Sequence, residues 1–201
     1  MTEQTVFIVD DDADVRDSIR LLLESAGLKV RSFASAKIFL ADAISAHGCL
    51  ISDIRMPDLT GLELQEELNR RRINLPVIII TGHGDVPLAV RAMKAGAIDF
   101  LEKPFDDEQM LASVRRALAA GQKSRSRSAE SQAARDLICL LTPREKAVLD
   151  KLVTARSNKV AAHELGISPR TVEIHRAHIM DKTKAANLSD LVRLVLTADR
   201  D

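Results

Sequence analysis

The strongest constraint on the fold is that short β-branched runs alternate with helix-length segments through the first 120 residues. The five runs are, in order, TVFIV, KVRSF, CLIS, PVIII and IDFL. Apolar residues at helical spacing follow each run, as Phe39, Leu40, Ala43 and Ile44 follow the second. Such alternation predicts a mostly parallel sheet covered on both faces by helices. We therefore predict a doubly wound α/β domain of five parallel strands over residues 1–120.

The sequence changes character after this domain. Residues 121–136 lose the apolar periodicity and are rich in Ser, Arg and Lys, which is typical of a solvated linker. An alternative is that this segment extends the preceding helix, because Ala, Glu, Gln and Arg favour helices. Residues 137–201 carry helical patterns only, and within LTPRE the residues Thr142 and Glu145 predict a capping box. A small all-α domain is expected there.

Charge divides the chain in the same place. The protein has 29 Lys and Arg and 29 Asp and Glu, but residues 1–122 hold 14 basic against 19 acidic side chains, and the remainder holds 15 against 10. All five phenylalanines lie in the acidic part. The basic part has no aromatic side chain on which an unpaired base could stack, so double-stranded DNA is its favoured nucleic-acid partner.

Composition also narrows the cellular setting. The longest apolar runs are far shorter than the roughly 18 residues of a membrane span, and the first residues lack a signal-peptide pattern. Cys49 and Cys139 are far apart and have no partners at metal-binding spacing. These features predict a cytoplasmic protein without a membrane partner, a disulfide framework or a zinc site.

Polar side chains follow four of the five predicted strands. Asp10 and Asp11 follow the first, Asp53 the third, Thr81 the fourth and Lys103 the fifth. Functional groups in an open parallel sheet collect beyond the carboxyl ends of the strands, so these side chains should share one pocket. Carboxylates packed closely repel unless a cation intervenes, and magnesium prefers oxygen ligands. Asp53 is then a natural nucleophile towards phosphorus, with Thr81 hydrogen-bonding the incoming group.

Each of these residues also has an ordinary structural explanation. The run of three aspartates could lie at the positive end of a helix dipole, Asp53 could cap a turn, and Lys103 could be a surface charge. Phe100 could be a core aromatic of the fifth strand. Taken singly, the structural explanations are favoured. Their joint placement at four strand ends favours a functional site instead.

The motifs VDDD, SDIRMPDLTGLEL, IIITGHGDV and DFLEKPF resemble, in order and separation, those of the receiver domain of two-component response regulators. The resemblance implies a flavodoxin-like fold and a magnesium ion, with manganese as an alternative. The roles that it implies are Asp10 and Asp11 as the acidic pair with Asp11 on the metal, Asp53 as phosphoacceptor, the Arg55 carbonyl as metal ligand, Thr81 and Phe100 as switch residues, and Lys103 as the phosphate-facing lysine. His83 is expected to be a loop histidine beside the site rather than a phosphodonor.

The segment NKVAAHELGISPRTVEIHRAHIM predicts a helix-turn-helix. Gly166 permits a sharp turn, and Ser168 with Pro169 supplies a cap and first position for the second helix. Val172 and Ile179 should point inward, seven residues apart. Such patterns alone also occur in helical hairpins that only pack. Residues 141–198, however, resemble the four-helix LuxR/NarL-type DNA-binding domain, and the whole chain resembles FixJ-type response regulators.

Candidate DNA contacts divide into two groups. Candidates for phosphate contacts are Lys159, Arg170, Thr171, Arg176, Lys182 and Lys184. Candidates for base-edge contacts are Glu173, Ile174 and Ala177. An ion pair of Glu173 with Arg170 or Arg176 is an equally plausible explanation for that carboxylate.

The resemblance implies a transcriptional regulator that is not an enzyme beyond its own phosphoryl transfer and dephosphorylation. A sensor histidine kinase would phosphorylate Asp53, the receiver would form a homodimer, and the helix-turn-helix would bind DNA, with RNA polymerase as a further partner. Two alternatives remain open. One is a magnesium-dependent phosphotransferase or phosphatase acting on a small molecule, and the other is a DNA-binding protein whose receiver is a passive dimerisation block.

Overall fold

A computed structural model of the chain describes residues 4–42, 47–82, 86–154 and 157–199. The chain forms two compact units, Met1–Ser124 and Arg125–Asp201. Ala43, Ile44 and His83, which entered the sequence analysis, lie outside the described residues. Within the described part of the chain, no helix is both long and apolar enough to cross a membrane.

The first unit alternates strands and helices as predicted. Its elements are β1 (Thr5–Val9), α1 (Ala13–Ser25), β2 (Lys29–Phe33), α2 (Ala36–Asp42), β3 (Gly48–Asp53), α3 (Gly61–Arg70), β4 (Val77–Thr81), α4 (Val86–Lys94), β5 (Asp99–Glu102) and the beginning of α5 (Asp107–Cys139). The five strands pair in parallel in the order β2-β1-β3-β4-β5. The predicted doubly wound sheet is therefore confirmed.

Two apolar layers cover the two faces of this sheet. Alternate side chains of a strand point to opposite faces, so Phe7 and Val9 of β1 enter one core cluster whereas Val6 and Ile8 enter the other. All five residues of β1 are buried, as are all five of β4. Burial on both faces explains why these strands are continuous apolar runs rather than alternating ones.

The second unit is helical. It contains the end of α5 together with α6 (Pro143–Thr154), α7 (Asn158–Leu165), α8 (Pro169–Thr183) and α9 (Leu188–Ala198). Its core cluster consists of Leu141, Val148, Leu149, Leu152, Ala162, Val172, Ile179 and Leu191. Thr142 and Glu145 form the predicted capping box at the start of α6, because the Thr142 amide donates to Glu145 Oε2 and the Glu145 amide to Thr142 Oγ1.

The turn between α7 and α8 has the predicted chemistry. Gly166 lies in the left-handed region with φ 64° and ends α7. Ser168 accepts a hydrogen bond from the Thr171 amide and caps α8, and Pro169 takes the first helical position. α7 and α8 thus form a helix-turn-helix.

The segment 121–136 is helical and not an irregular linker, since α5 runs through it without a break. The compact units divide after Ser124, which lies inside that segment. The continuous helix corresponds to the alternative in which this segment extends the preceding helix. Good helix formers and side-chain hydrogen bonds four residues apart support the helix instead, as from Ser126 to Glu130 at 3.0 Å and from Gln132 to Asp136 at 2.8 Å.

We predict that Ala129→Pro breaks α5, because proline removes an amide donor and clashes with the preceding turn at a cost of about 3 kcal/mol. Ala129 is exposed, so no lost packing complicates the result. Far-ultraviolet circular dichroism of the full chain should show a loss of helix. The matched variant Ala129→Gly should keep most of it. An unchanged spectrum of the proline variant would contradict a continuous helix.

Candidate phosphoacceptor site and nucleic-acid interface

The predicted polar site lies at the carboxyl ends of four adjacent strands. Asp10 directly follows β1, Asp53 ends β3, Thr81 ends β4, and Lys103 directly follows β5. Lys103 Nζ lies 2.9 Å from Asp10 Oδ2 and 2.7 Å from Asp53 Oδ1. The Lys103 amide also donates to the Thr81 carbonyl at 2.7 Å. Side chains from β1, β3 and the end of β5 therefore meet at one point.

Lys103 compensates two buried carboxylates. Asp10 is 1% exposed and Asp53 is 6% exposed. Burial raises the pKa of Asp10 above its usual value, and hydrogen bonds from Lys103 and the Asp12 amide partly offset that rise. Burial acts to lower the pKa of Lys103, but hydrogen bonds to Asp53 and Asp10 raise it above its usual value. The lysine therefore stays charged between the two acids.

Backbone amides hold the other oxygen of each carboxylate. The Arg55 amide donates to Asp53 Oδ2 at 2.6 Å, and the Asp12 amide donates to Asp10 Oδ1 at 2.9 Å. Each carboxylate thus has one oxygen on the ammonium and one on a backbone donor. This arrangement fixes the orientation of both groups.

The three consecutive aspartates have three different positions. Asp10 belongs to the buried site, whereas Asp12 caps α1 by accepting from the Asp14 and Val15 amides. Asp11 is exposed. The structural explanation of the acidic run therefore holds for Asp12, whereas Asp10 lies in the buried polar site.

Two residues of this site escaped the sequence analysis. Arg16 Nη1 donates to the Asp10 carbonyl at 2.6 Å and so ties α1 to the end of β1. Gly61 packs against the backbone of Asp53, because a Cβ atom at residue 61 would lie 2.4 Å from the Asp53 carbonyl oxygen. The only sequence signal for Gly61 was its place directly after Thr60 at the start of a helix.

The expected switch residues differ in burial. Thr81 is fully buried, and Phe100 is partly buried against one core cluster. Phe100 therefore contributes to the core, as its structural explanation requires, and yet retains an accessible edge.

A groove of about 370 Å³ lies beside the acidic site. Its lining comes from α1 and from the segment that joins β5 to α5, and consists of Asp14, Val15, Ser18, Ile19, Leu22, Lys103, Pro104, Phe105 and Asp107. Lys103 belongs both to this groove and to the acidic site. A partner bound in the groove would therefore lie next to Asp53.

The donor set at the strand ends suits a hard cation. Carboxylate and carbonyl oxygens are the ligands that magnesium prefers, and Asp10, Asp11, Asp53 and the Arg55 carbonyl supply only these. Among the described residues, no cluster of three or more His, Cys, Asp or Glu side chains is arranged to hold a metal. In this geometry Lys103 lies between the two buried carboxylates. The residues fit magnesium in chemical type.

The second candidate site is the outward face of α8. Val172 and Ile179 are fully buried, as the seven-residue spacing predicted. The exposed residues of α8 include Arg170, Glu173, Ile174, Ala177 and Asp181. Ile174 is 49% exposed among charged neighbours.

The remaining candidates for DNA contacts are distributed less evenly. Lys159 is exposed on α7, and Thr171 and Arg176 are half-buried. Within the described ranges, Glu173 forms no ion pair with Arg170 or Arg176. His178 is exposed as well and lies four residues after Ile174, on the same face of α8.

Two of the predicted phosphate contacts are already paired. Lys184 Nζ lies 3.1 Å from Asp181, and both side chains are largely exposed, so this pair is weak and easily broken. Lys182 Nζ instead donates to Glu145 Oε2 at 2.7 Å, and the Glu145 side chain is only 5% exposed. The two lysines therefore occupy different environments.

These two sites define a receiver joined to a helix-turn-helix unit, and comparison with known families agrees. The response regulator receiver domain model matches residues 6–115, and the model of the LuxR family of bacterial regulatory proteins matches residues 140–195. The chain is thus a two-component response regulator that acts in transcription. It belongs to the FixJ-type response regulators.

Individual relatives cover nearly the whole chain. The transcriptional regulatory protein FixJ of Azorhizobium caulinodans is 50% identical over 195 residues, spanning 96% of this chain and 92% of the relative. FixJ of Rhizobium meliloti is 46% identical and spans 98% of this chain and 97% of its own length. The structure of the response regulator StyR has a TM-score of 0.83 at 43% identity, covering 97% of this chain and 99% of that one.

We predict that Gly61→Ala slows phosphoryl acceptance by Asp53. The new Cβ must displace the Asp53 carbonyl, at a cost in stability of about 1 to 3 kcal/mol, and thereby shift the carboxylate relative to Lys103. Labelling by acetyl phosphate, together with urea unfolding, would measure both effects. If this variant had the labelling rate and stability of the wild type, the close contact between Gly61 and the Asp53 backbone would have no effect on function.

Proposed function

We propose that a sensor histidine kinase phosphorylates Asp53 in a magnesium-dependent reaction. The observation that supports this most directly is the contact of Lys103 with both Asp53 and Asp10. The Asp53 carboxylate would attack phosphorus, the bond from phosphorus to the donor nitrogen would break, and an acyl phosphate would form. Lys103 would then offset the charge on the phosphoryl oxygens.

The metal would be held by Asp10, Asp11, Asp53 and the Arg55 carbonyl, with manganese as a substitute for magnesium. When bound, the cation supplies positive charge at the phosphoryl oxygens. The amide of Arg55 already fixes Asp53 Oδ2, so the nucleophile is oriented before the donor arrives.

The groove beside Lys103 is the proposed docking site of the phosphodonor. Its lining includes the apolar side chains of Val15, Ile19 and Leu22 from α1, and Lys103 also lines it. A helix that carried the phosphorylated histidine could bury apolar side chains there and bring phosphorus to Asp53.

Phosphorylation would act through Thr81 and Phe100 on the surface of α4 and β5. We propose that Thr81 hydrogen-bonds the phosphoryl group and that Phe100 moves inward with it. α4 carries exposed apolar residues at helical spacing: Val86 is 72% exposed, Val90 46% and Met93 49%. Pairing of this surface between two copies would bury these residues, which supports a phosphorylation-dependent homodimer.

Dimerisation would strengthen DNA binding without new base contacts, because the second helix-turn-helix would be held at a high effective concentration. Glu173, Ile174 and Ala177 are proposed to contact base edges. The residues proposed to contact phosphates are Lys159, Arg170, Thr171, Arg176 and Lys184. Lys182 is bound to Glu145. A cytoplasmic location follows from these partners.

Asp53→Asn should abolish labelling by acetyl phosphate, because an amide oxygen does not form an acyl phosphate under these conditions. Chelation of divalent cations should reduce labelling of the unmodified chain at least about tenfold. Asp12→Asn is the matched control, since asparagine also caps helices and the Asp12 side chain accepts from the first amides of α1 rather than contacting Asp53 or Lys103. Persistent labelling of the Asp53 variant would refute the assignment.

Treatment with acetyl phosphate should also raise the molecular mass towards a dimer and strengthen binding to a duplex selected from a random pool. Both effects should vanish in Asp53→Asn. If DNA affinity were the same with and without the donor, the receiver would be a passive block.

The face of α8 can be tested by separating sequence readout from charge. Ile174→Ala should weaken binding to the selected duplex by about 1 to 3 kcal/mol and leave binding to a mixed-sequence duplex nearly unchanged. Lys159→Met should weaken both and lower the salt slope by about one. Ile38→Ala is the matched control, because Ile38 is 59% exposed and lies in the other unit. Equal weakening of both duplexes by Ile174→Ala would remove α8 from sequence readout.

A further inference from the structure

The first turn of α6 contacts both helices of the helix-turn-helix through two consecutive residues. Arg144 Nη2 donates to the Leu165 carbonyl in the last turn of α7 at 3.2 Å. Glu145 Oε2 accepts from Lys182 Nζ in the last turn of α8 at 2.7 Å. One short segment outside the motif is therefore bound to the ends of both its helices.

Glu145 is an unusual residue at a helix start because it is buried. The residue is 4% exposed, and its Oε2 atom accepts from the Thr142 amide at 2.8 Å as well as from Lys182. The hydrogen bond from Lys182 and that from Thr142 lower the pKa of Glu145 to about 2. The carboxylate is therefore charged at physiological pH, and a single ammonium compensates it.

Such a pair contributes orientation rather than stability. Burial of the Glu145 carboxylate costs solvation energy, and the Lys182 side chain stays 36% exposed to water, so the pair adds little net stability. Apolar contacts such as those of Val172 and Ile179 hold α8 to the core but tolerate small rotations. A hydrogen-bonded ion pair does not, because its energy depends on distance and angle. Lys182 lies three residues after Ile179, next to the buried Thr183.

We propose that Glu145 and Lys182 form a clamp that fixes the rotation of α8 about its axis and so positions Glu173, Ile174 and Ala177 for base-edge contacts. The proposal rests on the DNA-binding function proposed above. Both are positioning residues, and Lys182 then acts through Glu145 rather than through a phosphate.

The two possible roles of Lys182 predict opposite effects of Glu145→Gln on DNA affinity. If Lys182 were a phosphate contact, Glu145→Gln would release its ammonium from the carboxylate and strengthen DNA binding. If the pair is a clamp, the same substitution loosens α8 and weakens binding to the selected duplex. The salt dependence separates the roles again, because each lost phosphate contact lowers the slope by about one.

The test uses the full chain with Glu145→Gln, Lys182→Met, both together, and Lys182→Arg. Dissociation constants for the selected duplex and for the mixed-sequence duplex are measured over a range of salt concentrations. Each single variant should lower the ratio of the two affinities about tenfold with an unchanged salt slope. The affinity ratio of the double variant should be no lower than that of the more affected single variant, because both substitutions remove the same interaction. Lys182→Arg should restore most of the ratio, since arginine also pairs with carboxylate.

Lys184→Met is the matched control, because that lysine is exposed and paired only at the surface. It should lower the salt slope and keep the ratio. An unchanged ratio or stronger binding in Glu145→Gln, or a slope reduced by about one in Lys182→Met, would overturn the clamp. Circular dichroism identifies any single variant that fails to fold. In that case the affinity ratios of the double variant and of Lys182→Arg test the clamp.

Failure of the proposed DNA-binding function has a different signature. In that case the unmodified chain itself would not distinguish the two duplexes, and the clamp would fall with it. If Ile174→Ala lowers the affinity ratio of the two duplexes but Glu145→Gln and Lys182→Met leave it unchanged, only the clamp is overturned.

Discussion

The contact of one ammonium with two buried carboxylates is the interaction on which the receiver unit depends. Asp10 and Asp53 end neighbouring strands, so the parallel sheet forces their charges together at its edge. Without a cation between them, the two buried carboxylates would repel each other. Lys103 donates a hydrogen bond to each of them, and backbone amides orient them. The positive charge of Lys103 would also offset the negative charge of a phosphoryl group at the proposed site.

The helical unit uses a partly buried ion pair for a different purpose. Lys103 contacts the proposed nucleophile Asp53 and the proposed metal ligand Asp10, whereas Lys182 contacts an acid that caps a helix and has no proposed reaction. In both units a lysine pairs with a carboxylate that is distant in the sequence. The hydrogen bonds between them restrict the orientation of the two side chains. Apolar cores hold the elements together in each unit, and the ion pairs decide how the functional side chains are presented.

The strand-helix rhythm and the capping residues were sufficient to predict most local structure. β1 and β4 are continuous apolar runs because both of their faces are buried. Such a run is visible in the sequence itself, so these strands could be predicted without the structure. Thr142, Gly166 and Ser168 act within a few residues of themselves, so their roles were also visible in the sequence. For residues 121–136 the sequence left a linker and a helical extension open, because good helix formers occur there without an apolar face, and the structure has the helix.

The sequence by itself determined the order of elements, the strand ends at which acids and lysine occur, and the inward face of α8, since all of these follow from spacing along one segment. Only the tertiary structure decided which acids Lys103 contacts, that Gly61 lies against Asp53, and that Lys182 is held by Glu145. The partners in these contacts are separated in sequence by 50 residues for Asp53 and Lys103 and by 37 for Glu145 and Lys182. No periodicity within a segment encodes such a pairing, because it depends on how segments pack.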